Sequence, residues 1–133
     1  MFRTSVTVEW GDCDEAGIVF YPNYFYWFDC TFQRFLRSRG LSQRELKRRF
    51  DAVTPIVETG ATFRGPARYD DDLEVEAAIA LCGERRFRMS YRLISGGALI
   101  VDGFEVRAWA VRGADGRMKG VPIDEEFRTA VMM

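Results

Sequence analysis

Apolar and polar residues alternate from the start of the chain. Phe2, Thr4, Val6, Val8 and Trp10 fall on one face, and Arg3, Ser5, Thr7 and Glu9 on the other. That period is the mark of a half-buried strand, Phe2–Trp10. Gly11–Glu15 breaks it as a turn. From Asn23 to Arg39 the period becomes helical. Tyr24, Trp27, Phe28, Thr31 and Phe35 keep helical spacing, and Phe25, Phe32 and Leu36 widen the stripe. A helix this apolar is expected to be largely enclosed. Asp29 is the anomaly within it. Arg34, Arg37 and Arg39 gather at the C-terminal end, where the helix dipole favours cations, and Gly40 reads as the stop. Ser42 is placed to cap a short second helix, Gln43–Phe50, with Glu45 at the capping-box position. The basic run of that helix reads as a solvated face.

From Ala52 onward the pattern is one of strands. Val53–Arg64 is long, with Pro55 marking an edge or an irregular start. Gly65-Pro66 ends it. Leu73–Cys82 carries Leu73, Val75, Ala77, Ile79 and Leu81 on one face. Arg86–Ile94 alternates Phe87, Met89, Tyr91 and Leu93 against Arg86, Arg88, Ser90 and Arg92. Ser95-Gly96-Gly97 is a hairpin turn. Ala98–Val111 is the last long strand, with Gly103 read as a bulge. Ala114-Asp115-Gly116 turns again, and Pro122–Val131 reads as a terminal helix. The order is strand, long helix, short helix, then four strands joined by short turns. It predicts an α+β fold with one helix enclosed by an antiparallel sheet. The other sheet face and any open edge need covering, which predicts an oligomer.

Composition narrows the chemistry. The chain has 133 residues, enough for a single domain spanning 1–133. A net charge of −1 argues against a nucleic-acid binder. No apolar run approaches the roughly twenty residues that span a membrane. The N-terminus lacks the apolar core of a signal peptide, so a cytoplasmic location is expected. Cys13, Cys30 and Cys82 are scattered and odd in number, which fits free thiols.

The chain contains no histidine. That removes the commonest general base and metal ligand. A serine or cysteine relay through histidine is impossible within one chain, and no metal site is expected. Carboxylates, tyrosines, arginines and backbone amides must supply any catalysis.

Gly11–Tyr24, GDCDEAGIVFYPNY, brings such groups together. Asp12 and Asp14 sit on a tight turn with Glu15 beside them. Pro22 suits the first turn of the following helix. Proline has no N–H, so the donors near that helix start are the amides of Tyr21, Asn23 and Tyr24. Amides at a helix N-terminus form an anion site that can hold the oxyanion of acyl transfer. A carboxylate can attack a thioester or deprotonate water. The ordinary role of an aspartate in such a turn is to bond the backbone. Cys13 has no basic partner nearby in sequence and reads as an inert thiol.

Gly11-Asp12-Cys13-Asp14, Ala16–Tyr24 and Trp27-Phe28-Asp29 together resemble the hotdog-fold acyl-CoA thioesterase family. The likeness is strongest to its 4-hydroxybenzoyl-CoA thioesterase branch. Weaker similarity continues through Thr54–Val57 and Tyr69-Asp70-Asp71. The resemblance implies a hotdog fold, a long central helix wrapped by an antiparallel sheet. It implies dimers or dimers of dimers, a homotetramer among them, with an acyl-CoA site at the subunit interface. No cofactor is implied, since the CoA thioester is the substrate. The family's catalytic carboxylate falls on Asp14, and the amide that polarises the thioester carbonyl falls on Tyr21. Asp29 matches the acid that meets the substrate's ring hydroxyl. An alternative for Asp29 is a buried acid satisfied by arginine or by a neighbouring subunit. Tyr24 is expected to bind substrate. Arg85, Arg86 and Arg88 fall where the family holds the CoA phosphates. Ile56, Val57 and Glu58 fall where it runs backbone along the pantetheine arm. The chain departs at Gln43 or Arg44, which stand near a tryptophan of the hydroxyaryl pocket.

The expected activity is hydrolysis of an aryl (hydroxybenzoyl- or benzoyl-like) or short acyl-CoA. Asp14 is its nucleophile or general base. A non-catalytic acyl-CoA sensor on the same fold is the alternative. A hydratase is disfavoured because those relatives rely on histidine.

Overall fold

The computed structural model describes residues 1–133. Its main helix, α1 (Pro22–Ser38), lies against a sheet built from β1 (Phe2–Thr7), β3 (Ile56–Phe63), β4 (Asp72–Leu81), β5 (Arg86–Ser95) and β6 (Ala98–Ala108). The strand order is β1-β4-β5-β6-β3, with every pair antiparallel. A second helix, α2 (Gln43–Phe50), follows α1. A small sheet of β2 (Ala52–Val53), β7 (Ala110–Arg112) and β8 (Met118–Gly120) flanks the large one, and α3 (Glu125–Met132) ends the chain. This is the α+β arrangement expected from the order of elements, and the hotdog fold that the resemblance implies. No helix is long and apolar enough to cross a membrane.

α1 packs Tyr24, Trp27, Phe28, Thr31, Phe32, Phe35 and Leu36 inward. They meet the inner residues of β4 and β5, among them Val75, Ala77, Phe87, Met89 and Tyr91, in one apolar cluster. Phe28 stacks on Tyr91 with ring centroids 4.7 Å apart and planes 4° from parallel. Enclosure is incomplete, however. Tyr26, Arg34 and Arg37 are exposed, and Asp29, Cys30 and Gln33 are half-buried. An open polar stripe therefore runs the length of α1. The breadth of its aromatic face masked this stripe in the sequence.

Several boundaries differ from the expected ones for identifiable reasons. The strand expected at Val53–Arg64 breaks at Thr54-Pro55 into β2 and β3, because proline cannot donate to a ladder. β3 is an edge strand, as Pro55 suggested. The strand expected at Ala98–Val111 breaks at Trp109 into β6 and β7. The Trp109 amide donates to the Arg85 carbonyl, and its own carbonyl accepts the Val121 amide. β8 has three exposed residues and no periodicity to announce it. The terminal helix starts later than Pro122, at Glu125, where Asp124 Oδ1 accepts the Glu126 amide at 2.8 Å.

Trp10 is not on the buried face of β1. The strand ends at Thr7, and a 3-10 turn (Trp10–Asp12) turns the indole outward, 76% exposed, edge-on to Tyr69. Gly103 is not a bulge. It pairs in register with Ala61 and Tyr91, and the register shifts lie at Ile56/Glu58 and Leu93/Ile94. Glycine is needed there for approach: a Cβ would stand 2.5 Å from the Phe28 ring and 2.7 Å from the Gly60 carbonyl oxygen.

Other local readings hold. Gly40 has φ +70°, the left-handed stop of α1. Ser42 Oγ accepts the Glu45 amide at 3.4 Å, though the Glu45 carboxylate turns to Arg48 instead of back to the cap. Gly96 and Gly97 both have positive φ, as a tight primed hairpin turn requires.

Candidate active site

Asp12 to Phe20 folds back as a narrow hairpin. The Phe20 amide donates to the Asp12 carbonyl at 2.8 Å, Cys13 bridges Val19, and the Asp14 amide donates to the Ile18 carbonyl at 3.0 Å. Gly17 closes the tip with φ +78°. The Val19 amide, donating to the Ala67 carbonyl, ties the hairpin to the loop after β3.

The two aspartates take different roles there. Asp12 is absorbed by the turn: its Oδ2 accepts the Glu9 amide at 2.8 Å, and its carbonyl also accepts the Asn23 side chain at 2.9 Å. Asp14 is exposed. One carboxylate oxygen accepts the Ala16 amide at 2.9 Å; the other has no partner in the chain, and no cation pairs with it. Asp14 thus makes the ordinary backbone bond of a turn aspartate and keeps one oxygen free.

The three amides at the helix start are not equivalent. Asn23 N–H donates to the Phe20 carbonyl at 3.0 Å and Tyr24 N–H to the Tyr21 carbonyl at 3.1 Å. Both are spent, against expectation, because the chain enters α1 through tight turns. The Tyr21 amide has no acceptor in the chain. It stands at the N-terminus of a 17-residue helix, directly before Pro22. The helix dipole adds positive potential there.

A cleft of about 470 Å³ opens beside this amide, lined by Tyr21, Tyr24, Phe63 and Arg68 among others. Tyr24 reaches it while almost wholly buried, packed edge-on to Trp27 and tilted against Phe63. Burial, above all, raises its phenol pKa above 10.0. Arg68 is a candidate the sequence did not single out. It is exposed, lines the cleft and carries no ion pair. Its only sequence signal was its place in the break after β3. Cys13 is half-buried against the core, with Glu9 O the one hydrogen-bond partner of its thiol, at 3.9 Å.

Asp29 meets Arg107, whose Nη2 donates to Asp29 Oδ1 at 2.8 Å, and Gln33, whose Nε2 donates to the same oxygen at 3.1 Å. Glu105 and Arg107 went unnoticed in the sequence. The signal was present: they sit two apart on the inner face of β6, between Gly103 and Trp109.

Arg85, Arg86 and Arg88 do not join the cleft within one chain. Arg85 Nη1 donates to the Gly120 carbonyl at 3.1 Å. Arg86 and Arg88 lie on the outer face of β5, opposite Ala108 and Val106. The cleft lies level with Val101, which pairs Phe63. At about 3.4 Å per residue, the backbones of Arg88 and Arg86 stand about 17–24 Å from that level, although the Arg88 side chain reaches back toward it. Arg88 stacks its guanidinium 4.0 Å from the Phe104 ring centre. Ile56, Val57 and Glu58 lie at that far end too. A bulge leaves Val57 without a partner in register.

The sequence model of the thioesterase-like superfamily matches residues 8–131. The chain belongs to this family. The 4-hydroxybenzoyl-CoA thioesterase of Pseudomonas sp. (strain CBS-3) is 31% identical over 127 residues, 90% of this chain and 89% of that protein. A gentisyl-coenzyme A thioesterase structure superimposes with a TM-score of 0.85 at 32% identity, covering 98% of this chain and 99% of the other. An Asp-to-Asn variant of 4-hydroxybenzoyl-CoA thioesterase, solved with 4-hydroxybenzoyl-CoA, gives a TM-score of 0.85 at 29% identity. That match covers 98% of this chain and 97% of the other. In this thioesterase-like chain the half-free Asp14 carboxylate lies on the hairpin, and the unpaired Tyr21 amide directly follows its last residue, Phe20.

Proposed function

We propose that this thioesterase hydrolyses an aryl-CoA thioester, with Asp14 as nucleophile or general base and the Tyr21 amide as oxyanion donor. Its family makes it a thioester hydrolase acting on acyl-CoA; the acyl group and the residue roles are the proposal. The observation that carries it is the Tyr21 N–H, left without an acceptor at the start of α1. A preorganised donor of this kind is worth about 3 kcal/mol of barrier in acyl transfer.

The thioester carbonyl oxygen accepts the Tyr21 N–H. The free Asp14 oxygen then follows one of two courses. It attacks the carbonyl carbon, CoA leaves as thiolate, and water cleaves the resulting anhydride. Or it takes a proton from water, whose oxygen attacks the same carbon. Both give the free acid and CoA. The two named relatives that act on hydroxylated aryl-CoA support an aryl substrate. Asp29 supports it too. It is an acid on the same helix, eight residues beyond Tyr21 and about 12 Å along α1.

A second copy would complete the site. β3 is an edge strand with Ile56, Val57 and Phe63 exposed, and an edge of this kind seeks a partner. Antiparallel pairing of two β3 edges about a two-fold axis would set the Phe63 end of one copy beside the Ile56 end of the other. The Arg86 and Arg88 end of a second copy would then approach the Tyr21 cleft and the CoA phosphates, where arginine forks suit phosphate. A dimer, or a dimer of dimers, follows from this reading. The three free cysteines support a cytoplasmic setting.

The test is thiol release from a panel of benzoyl-, hydroxybenzoyl- and short aliphatic acyl-CoAs. Turnover with preference for aryl groups is expected. Binding of CoA esters without any thiol release would leave a sensor instead.

A further inference from the structure

Two arginines line the cleft beside the Tyr21 amide, and one of them is spent. Arg64 is paired with Asp102 of β6, its Nε 3.0 Å and its Nη2 2.9 Å from Oδ2. The Arg68 guanidinium has no hydrogen-bond or ion-pair partner in the chain and is exposed to the cleft. Its backbone, by contrast, is fixed. The Arg68 amide donates to Asp71 Oδ2 at 2.8 Å, and the Asp71 amide donates back to the Arg68 carbonyl at 3.1 Å. The Val8 amide donates to the Asp71 carbonyl at 2.9 Å, and the Asp70 amide to the Val8 carbonyl at 2.8 Å. These bonds hold Asp70 at φ +71°, a left-handed value uncommon outside glycine. Ala67, the residue before Arg68, is wholly buried, and its carbonyl accepts the Val19 amide at 2.9 Å. Ile18, next to Val19, also lines the cleft, and its carbonyl accepts the Asp14 amide. Arg68 and Asp14 are therefore joined to one hairpin at adjacent residues, and Tyr21 follows two positions later.

An unpaired cation matters at this end of the fold because its surroundings are acidic. Asp12, Asp14, Asp71 and Asp72 accept from amides or a hydroxyl and not from cations. Glu15 and Asp70 are exposed beside them. Cleavage of a thioester places a full negative charge on sulphur, the atom bonded to the carbonyl carbon. Neighbouring carboxylates oppose that charge, and more strongly in a cleft than in bulk water. The carbonyl oxygen has its donor in the Tyr21 N–H. Sulphur is the other reacting atom that gains charge, and a guanidinium in the same cleft can pair with it.

We propose that Arg68 is a catalytic residue of this chain: its guanidinium stabilises the thiolate that departs when the tetrahedral intermediate collapses. In that step the oxyanion at the Tyr21 amide re-forms the carbonyl, the C–S bond breaks, and its electron pair goes to sulphur. The thiol half leaves as a thiolate paired with Arg68 and takes up a proton from the solvent on release. The step is the same whether Asp14 or a water molecule made the attack. The inference rests on the thioesterase reading above and adds to it the residue that serves the leaving group.

The test measures kcat and KM for wild type, Arg68→Gln and Arg68→Lys on three esters of one acyl group. They are benzoyl-CoA, S-benzoyl-N-acetylcysteamine and the benzoyl thioester of 4-nitrothiophenol. The second keeps an alkyl thiol and drops the phosphates. The third releases a thiolate whose charge the nitroaryl ring spreads, so that it needs little help. Arg68→Gln is expected to lose about 10²–10³-fold in kcat on the first two esters, as removal of one charge-stabilising donor does, and less than about threefold on the third. Arg68→Lys should recover most of the loss. A loss confined to benzoyl-CoA and carried by KM would make Arg68 a phosphate contact and overturn the proposal. Equal losses on all three esters would assign it to the carbonyl or to the loop, which overturns it too. Unchanged kcat throughout would give it no part in the reaction. The side chain makes no bond within the chain, so both variants should match the wild type by circular dichroism. An unfolded variant would mean that Arg68 is structural and would also count against the proposal. A wild type that releases no thiol from any ester contradicts the thioesterase reading instead, and normal turnover by wild type and Arg68→Gln alike contradicts only this one.

Discussion

Gly103 and Phe28 occupy the same space: a Cβ at position 103 would lie 2.5 Å from the Phe28 ring. The missing side chain lets the middle of α1 settle onto β6 and bring Phe28 flat against Tyr91. Both Asp29, the next residue of α1, and Arg107, four residues along β6, depend on that approach. Gly103→Ala should lower stability by about 1–3 kcal/mol, the usual cost of overpacking. Chemical denaturation checks it. An unchanged midpoint would mean that α1 has room to shift.

Alkaline pH should destabilise the fold from about pH 10 upward. Burial, more than the neighbouring Glu105 charge, pushes the Tyr91 phenol far above 10.0, and burial raises Tyr24 as well. The unfolded chain ionises these phenols near pH 10 while the folded chain keeps them protonated. Their stabilisation is complete below pH 10 and is lost as pH rises through the folded values. Urea midpoints at pH 8, 10 and 11 should fall over the last two. Tyr91→Phe should show a shallower fall. Identical slopes would mean that Tyr91 does not carry the effect.

The free edge of β3 makes an association test direct. Ile56→Lys/Val57→Lys places charge on exposed apolar positions at the start of that strand. The wild type should sediment as a dimer or tetramer, and the double variant as a folded monomer with little turnover. A wild type that is monomeric and active would refute the shared site.

How much of this was readable beforehand differed by element. Alternation placed β4 and β5, and helical spacing placed α1, because those segments bury one clear face. The breaks at Thr54-Pro55 and Trp109 were blurred because apolar residues continue through them, and only tertiary pairing decides where one sheet ends. Trp10 misled because alternation extends three residues past the last rung of β1. At the site, the family likeness singled out Asp14 and Tyr21. Which amides are spent could not be read in sequence: Asn23 and Tyr24 lose theirs to the carbonyls three residues before them, because the chain enters α1 through tight turns. Arg107 and Asp29 lie 78 residues apart, and only the α1–β6 contact joins them. The arginines at 85, 86 and 88 match in sequence but lie at the opposite end of the sheet from the cleft, so their part depends on a second copy.

The central claim is that the free oxygen of Asp14 does the chemistry. Asp14→Asn isolates it, because asparagine keeps an oxygen to accept the Ala16 amide and so preserves the turn. The measurement is the rate of CoA thiol release from benzoyl-CoA by wild type and Asp14→Asn, alongside the affinity of each for the substrate. The prediction is a loss of about 10²–10⁴-fold in kcat with binding retained. A variant that turns over at near the wild-type rate would contradict the account.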